Sequence, residues 1–424
     1  MAIPKNVTVT TNAAGEEELA FHFAEEPLGI PAAHGLGFPN IKFGDRIGPG
    51  GRFEVKRKLG FGGFSSVWLA RDKEENKFVA IKALTGHATE FVQKEISMEL
   101  EALEVLSSPG SNHCLRLLSS FTLPGDDVTG QHICLVTPVY GGTIRDLHRK
   151  LPGKNGGFPL PIAKKILLHM LRGLSYIHDM TDLKSTRVAH TDLKHDNIFF
   201  TTALSYANID QLLEDDPPRV SEAEASPGPP GRYIQAALSQ PLPLPAFEEW
   251  GKPTFLLGDF SHCQIWERKA PTTISTPELR PPEIYLQSSY SETVDIWSFG
   301  CMVFDLVIGR SLFRHEPDPE KGLTADGHML YQMMCILGEE FSGIQLGNSD
   351  RAAEFFDINC NLKLKEGFDI INCPLERCIS NYKLLPLEEV MRMAKLMRRC
   401  LVVDPRARPS AKELLDDPWF NGFE

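Results

Sequence analysis

Alternating apolar and polar positions mark the start of the ordered part of the chain. RFEVKRKLG (52–60) and SSVWLARD (65–72) predict two strands around a glycine-rich turn, and KFVAIKAL (77–84) predicts a third. Each is rich in the branched and aromatic residues that suit a pleated sheet. The period then lengthens. ATEFVQKEISMELEALEVL (88–106) predicts one long helix with Phe91, Ile96, Leu100, Leu103 and Leu106 facing inward. Two further strand-like runs, LRLLSSF (115–121) and HICLVTPV (132–139), close this region near Val139. Beyond it the pattern is helical: PIAKKILLHMLRGLSYIHDM (161–180), SETVDIWSFGCMVFDLVIG (291–309), LEEVMRMAKLMRRCLVV (387–403) and SAKELLDD (410–417). A small, mainly β region thus precedes a large, mainly α one.

Two stretches lack this patterning. Residues 1–40 show no sustained periodicity and read as a loose extension, with order beginning near Ile41. Between Phe200 and Phe255, DDPPRVSEAEASPGPPG and SQPLPLPAF are too rich in Pro, Ser and Gly to fold alone. They read as an insertion, at about 203–252, within the second region.

Composition narrows the function classes. The 44 Lys and Arg against 56 Asp and Glu give a formal net charge of −12, which argues against direct nucleic-acid binding and fits a basic partner. Half of that excess falls between Arg314 and Ile370, where eleven acidic residues face five basic ones. Nine scattered cysteines without a C-x-x-C pair signal neither a disulfide framework nor a zinc site, and a reducing compartment is expected. The first 30 residues contain no apolar h-region, and Asp305 breaks the most apolar run, IWSFGCMVFDLVIG, so neither secretion nor a membrane span is expected.

The chemistry lies in a set of motifs in fixed chain order. GFGGF (60–64) alone signals no more than a tight hairpin. Fifteen residues after Val67, however, Lys82 ends the strand VAIK, where an ammonium could reach phosphates beneath a glycine-rich loop. Such a cation needs a carboxylate, and the following helix offers Glu99, or Glu95 one turn earlier; Glu99 is the better candidate. In HTDLKHDN (190–197), Asp192 is placed to accept a hydroxyl proton, Lys194 to neutralise a transferring phosphoryl group and Asn197 to hold Mg²⁺. Asp259, in FLLGDFS, would add the second metal carboxylate, because a hard cation prefers oxygen ligands. Each residue alone reads as a turn or surface position; the ordered set does not arise by chance.

With these motifs the chain resembles eukaryotic protein kinases from about Ile41 to Phe420. The resemblance implies an α+β bilobal kinase fold, with a small N-lobe over 41–139 and a larger C-lobe over 140–422. It implies ATP with Mg²⁺, bound between Leu59, Gly60, Gly62, Val67, Ala80 and Phe199, with adenine at the Pro138 carbonyl and the Tyr140 N–H and Thr137 as gatekeeper. Asp295 and Arg408 match structural anchors, the first for the catalytic-loop backbone and the second for Glu283. Lys194 fits serine/threonine kinases. KLGFGGFSSVWLARD, HTDLK, ELRPPEIYL and DGHMLYQMMCILG are similar to stretches of the SR-protein kinases of the CMGC group. That likeness implies an Arg/Ser-rich protein substrate, a monomer, and a place in the cytoplasm and/or nucleus.

Two departures raise a second reading, a pseudokinase scaffold. Thr191 stands where H-R-D kinases have arginine, and Ser261 replaces glycine after Asp259-Phe260. The full set Lys82, Glu99, Asp192, Asn197 and Asp259 favours an active enzyme, and ELRPPEIYL disfavours a small-molecule phosphotransferase. Ser261 lacks glycine's freedom at positive φ, so restricted movement is expected there.

Overall fold

Six antiparallel strands build the first sheet, in the order β3-β4-β5-β6-β8-β7. They are β3 (Arg46–Ile47), β4 (Phe53–Phe61), β5 (Ser65–Asp72), β6 (Lys77–Leu84), β7 (Ser119–Leu123) and β8 (His132–Thr137). Side chains alternate between faces, so each strand serves two purposes. Val55, Trp68, Ala70, Val79, Ile81, Ala83, Cys134 and Val136 form the apolar core on one face. The register Gly60↔Val67↔Lys82 and Leu69↔Ala80↔Thr137 gathers the other residues on the opposite face.

The computed structural model describes residues 7–11, 17–21, 23–107, 111–153, 156–179, 188–225, 233–265 and 274–423. The chain forms two units: Met1–Ser97 with Leu117–Val139 and Leu204–Pro243, and Met98–Arg116 with Tyr140–Ala203 and Leu244–Glu424. The first also holds α1 (Gly86–Gln93), α5 (Tyr206–Asp215), the hairpin β1 (Val7–Thr11) and β2 (Glu17–Phe21), and the pair β12 (Glu224–Ala225) and β13 (Tyr233–Ile234). The second is mainly helical: α2 (Glu99–Leu106), α3 (Ile144–His148), α4 (Leu160–Asp179), α6 (Pro282–Tyr285), α7 (Thr293–Ile308), α8 (Ala325–Leu337), α9 (Gly343–Gly347), α10 (Ala352–Phe355), α11 (Leu375–Ser380), α12 (Leu387–Cys400) and α13 (Ala411–Leu415). Its strands are β9 (Tyr140–Thr143), β11 (Ile198–Thr201) and β14 (Phe255–Leu257) in one sheet, and β10 (Val188–Ala189) paired with β15 (Gln264–Ile265). No helix among the described residues is long and apolar enough to cross a membrane.

Three expectations from the sequence require correction. The helix over 88–106 is two helices, parted where Glu95 takes φ 57°, a left-handed conformation no helix interior accommodates. Leu103 and Leu106 are buried as expected, but Phe91 and Ile96 are exposed. Residues 23–40 are not a loose extension: Leu28, Ala32 and Phe38 are buried and Ala32 N–H donates to the Val128 carbonyl at 3.0 Å. Their contacts are scattered along irregular chain, so no period announces them. The insertion does not belong wholly to the second unit either, since residues 204–243 group with the first. Ser205 caps α5, whose Ile209 packs against Leu69 and Phe78 of the sheet. A Pro-rich segment that could not fold alone thus folds against strands already there.

The strongest of these attachments are two buried cations on β4. Arg57 donates to the Gln240 carbonyl at 2.8 Å and the Asp216 carbonyl at 2.6 Å, and pairs with the Asp216 carboxylate at 2.5 Å. Lys58, fully buried, pairs with Glu25 at 2.5 Å and with Glu26, and donates to the Ala237 carbonyl at 3.0 Å. Glu25 in turn accepts from the Ser239 N–H and hydroxyl. Burial would raise the Glu25 carboxyl, but Lys58 and Ser239 hold it below the usual carboxylate range.

Candidate active site

Within the first unit, the register places Gly60, Val67 and Lys82 side by side, with Ala80 and Thr137 next along the same face. Gly62 N–H closes the turn on the Ser65 carbonyl at 2.8 Å. Leu59 lies in a bulge of β4 and packs against Leu69, Phe78 and Ile209. The Thr137 hydroxyl donates to the Pro138 carbonyl at 3.1 Å, leaving that oxygen a second lone pair.

The second unit holds the loop between β10 and β11. Asp192, 5% exposed, accepts from Lys194 Nζ at 2.6 Å and from Asn197 Nδ2 at 2.9 Å; the same amide reaches the Asp192 carbonyl at 2.8 Å. The loop backbone is fixed from below. Asp295, wholly buried near the start of α7, accepts the His190 N–H on one carboxylate oxygen and the Thr191 N–H on the other, both at 2.7 Å, and His178 lies 2.9 Å from it. Gly258 N–H donates to the Asn197 carbonyl at 2.9 Å, so Asp259 follows directly beside Asn197. A side chain at Gly258 would meet the Phe199 ring at 2.6 Å, which is why only glycine fits there. Tyr140 and Phe199 approach with ring centroids 6.2 Å apart. Glu99 is buried in the first turn of α2, which packs on the 3-10 turn Phe260–His262; Glu95 is exposed and belongs to the first unit. Glu99, the candidate preferred from the sequence, and Glu95 therefore differ in burial.

Thr191 shows no sign of damage. It holds φ 62°, a costly conformation for a β-branched residue, yet every polar group is satisfied. Its hydroxyl donates to the His262 carbonyl at 2.6 Å, and its carbonyl accepts from the Ser275 hydroxyl at 2.7 Å. Nor is Ser261 strained. The residue at positive φ is Asp259, at 56°, whereas Ser261 sits in the 3-10 turn and its hydroxyl meets His262 at 3.0 Å. Ser261 thus needs no positive φ in this conformation.

Several neighbours were not legible in the sequence. His190 takes the Asp192 N–H on one ring nitrogen, at 3.3 Å, and meets the Gly258 carbonyl with the other at 3.0 Å, linking two motifs 68 residues apart. Asp305, which had signalled only a break in an apolar run, lies 3.5 Å from His195. Burial raises the Asp305 carboxyl. Burial, with Arg145 and His148 beside it, pushes His195 down to about 3, so the ring is neutral at physiological pH. These two line a groove of about 910 Å³ that runs from Lys194 past Arg145 and Arg310 to Tyr382. Arg408 forks onto Glu283 at 2.6 and 2.8 Å, the buried anchor that the sequence implied.

Comparison with known proteins turns this geometry into an assignment. The chain matches the protein kinase domain over residues 53–210 and 248–420, the gap falling in the Pro-rich insertion. The chain belongs to the protein kinase family. A serine/threonine protein kinase of Aspergillus fumigatus is 28% identical over 393 residues, covering 91% of this chain and 88% of the relative. The serine/threonine-protein kinase SRPK of Physarum polycephalum is 27% identical over 388 residues, 87% and 85% of the two chains. SRSF protein kinase 3 of Homo sapiens is 32% identical over 208 residues, 48% of this chain and 34% of the relative. The kinase is thus an ATP-dependent enzyme of the serine/threonine type that resembles the SR-protein kinases, acting on protein.

Proposed function

We propose that Asp192 takes the proton from a serine or threonine hydroxyl of a protein substrate as that oxygen receives the γ-phosphoryl group of ATP. The observation that carries this reading is the Asp192 carboxylate held between Lys194 and Asn197 at 2.6 and 2.9 Å. Lys194 balances charge on the transferring group. Lys82 holds the ATP phosphates under the turn at Gly60 and Gly62, and Glu99 matches the family's carboxylate for such a lysine. In the first unit Leu59, Val67 and Ala80 offer apolar surface to the adenine and the Pro138 carbonyl an acceptor; in the second, Phe199 and the Tyr140 N–H match the remaining adenine positions of the family. Asn197 and Asp259 would hold Mg²⁺ through oxygen ligands, which suit a hard cation, and the ion would supply positive charge against the phosphates.

For the substrate, the likeness to SRPK and SRSF protein kinase 3 supports an Arg/Ser-rich sequence. The acidic excess between Arg314 and Ile370 is weaker support than its count suggests. Asp318 pairs with Lys321, Asp326 with Arg351, and Glu354 with Arg351, and Asp357 accepts N–H groups of its own turn. Glu316, Glu320, Glu340, Asp350, Glu366 and Asp369 remain exposed to attract a basic peptide. A second reading has an observation of its own: Arg145 and Arg310 line the groove beside Lys194, which suits an acidic or phosphorylated residue near the acceptor. The test is phosphate transfer from labelled ATP with Mg²⁺ to Arg-Ser, Ser-Pro and acidic peptides. Arg-Ser peptides are expected to be preferred, with an affinity that falls as salt rises. Equal affinity for Arg-rich and acidic peptides at low salt would overturn that substrate class, and nucleotide binding without any transfer would favour the scaffold.

Activation is expected to need no phosphate on the segment Asp259–Glu283. In H-R-D kinases an arginine cation beside the catalytic aspartate is satisfied by such a phosphate. Here Thr191 brings no charge and has partners already. Of the candidate acceptors, Thr272 and Thr273 lie outside the described residues, and Ser275 spends its hydroxyl on Thr191. Protein made in bacteria and stripped with phosphatase is expected to match the initial rate of a T272A/T273A/T276V variant. Stripped protein that stays silent until another kinase is added would overturn this.

A further inference from the structure

Nine thiols are free, and six of them are buried. Cys114, Cys263, Cys301 and Cys400 are enclosed in apolar surroundings that keep them protonated and inert. Cys360, Cys373 and Cys378 are half-buried, and two of these three touch: Cys373 Sγ lies 3.6 Å from Cys378 Sγ. Their spacing, C-x₄-C, matches none of the patterns that announce a disulfide or metal site in a sequence. The helix start creates the contact. Pro374 is the N-cap of α11, so Cys373 is the residue before the cap and Cys378 the fourth residue of the helix. Side chains at those two positions meet across the first turn, where an apolar pair ordinarily sits. The Cys373 N–H is anchored on the Cys335 carbonyl at 2.8 Å, and the Cys378 thiol lies 3.5 Å from the Cys373 carbonyl, which holds the two thiols together.

We propose that Cys373 and Cys378 are a redox modification site that a hydroperoxide closes to a disulfide, altering the wall of the groove beside Lys194. The sulfurs stand at van der Waals contact and need only approach by about 1.5 Å to reach bonding distance. Cys373 is the first thiol oxidised: its thiolate attacks the peroxide, the O–O bond breaks, and Cys373–SOH and water form. Cys378 sulfur then attacks the sulfenic sulfur; the S–O bond breaks, the S–S bond forms, and the hydroxyl leaves with the Cys378 proton as a second water. Two thiols and one hydrogen peroxide thus give one disulfide and two waters. Burial and the neighbouring Cys373 raise Cys378 to about 12, which disfavours it as the thiol that attacks the peroxide first. Cys378 lines the groove together with Asn381 and Tyr382, which follow it in the chain. A bond across the first turn of α11 fixes this wall in one arrangement. The effect on substrate rests on the proposed use of the groove; formation of the bond does not.

The full chain, freed of reductant, would be titrated with hydrogen peroxide, alkylated and mapped by mass spectrometry. Expected is a peptide linking Cys373 to Cys378, reversed by dithiothreitol, while Cys360 remains a single thiol or climbs to sulfinic acid. Cys373→Ser and Cys378→Ser should each abolish the link and leave a monothiol open to overoxidation, whereas Cys360→Ser should change neither. The proposal is overturned if Cys373 and Cys378 stay alkylatable at peroxide doses that oxidise Cys360, or if either pairs with Cys335 instead. In the same samples KM for a peptide substrate should rise severalfold and return with dithiothreitol, with KM for ATP unmoved. A link that forms without that change would overturn its coupling to the groove.

Discussion

Replacing Asp192 by alanine is expected to leave nucleotide affinity at its wild-type value and to lower turnover on the order of 10³-fold or more. The carboxylate is the proposed proton acceptor, and it also holds Lys194 and Asn197 at 2.6 and 2.9 Å. Truncation therefore removes the base and releases both neighbours. Asp192→Asn separates these effects, because it keeps the volume and the contact with Lys194 but cannot take a proton. Its loss should fall in kcat and be nearly as large. Asp259→Ala should behave differently, losing Mg²⁺-dependent nucleotide affinity as well. Titration with a fluorescent nucleotide, with and without Mg²⁺, alongside single-turnover phosphorylation would distinguish them. Near-normal phosphorylation by Asp192→Ala would show the base to lie elsewhere.

The largest expected loss of stability comes from Lys58→Met. Methionine replaces the alkyl stem but leaves the buried Glu26 carboxylate, and Glu25 beside it, without a cation. Removing one partner from a buried ion pair costs about 3–5 kcal/mol. In the variant these carboxyls gain protons more readily folded than unfolded. The penalty is thus small below the ordinary carboxylate range and grows as pH rises through it towards neutrality. Urea unfolding should show the gap between variant and wild type widening with pH, and K58M/E26Q should recover much of it. Limited proteolysis should cut residues 20–40 and 216–243 sooner, since Lys58 ties both to β4. A K58M protein that unfolds at the wild-type midpoint at every pH would refute this account.

Much of the sheet that carries Lys82 and of the loop 190–197 was legible without coordinates because the information there is local. Strand alternation puts Val67, Ala80 and Lys82 on one face whatever surrounds the sheet. Asp192, Lys194 and Asn197 fall in a single six-residue stretch whose side chains meet through their own turn. Asp259 was found from its neighbours in sequence, and β11 pairing with β14 brings it to Asn197.

What escaped the sequence depends on partners distant along the chain. Glu99 was preferred to Glu95 on one continuous helix, but the break at Glu95, which leaves it exposed and Glu99 buried, had no sign in the sequence. Residues 23–40 and the insertion looked unstructured because neither has a period; their order comes from Glu25 reaching Lys58 across 33 positions and Ser239 across 214. The acidic excess near α8 was a count, and a count cannot show that Arg351 answers two of those carboxylates. Thr191 read as a missing charge, and only the fold supplied Asp295 and the His262 carbonyl, which satisfy its N–H and hydroxyl. Periodicity along the chain determined which side chains are buried together in strands and helices; the free energy of a buried charge or hydrogen bond depends on the group opposite, which tertiary structure alone brings there.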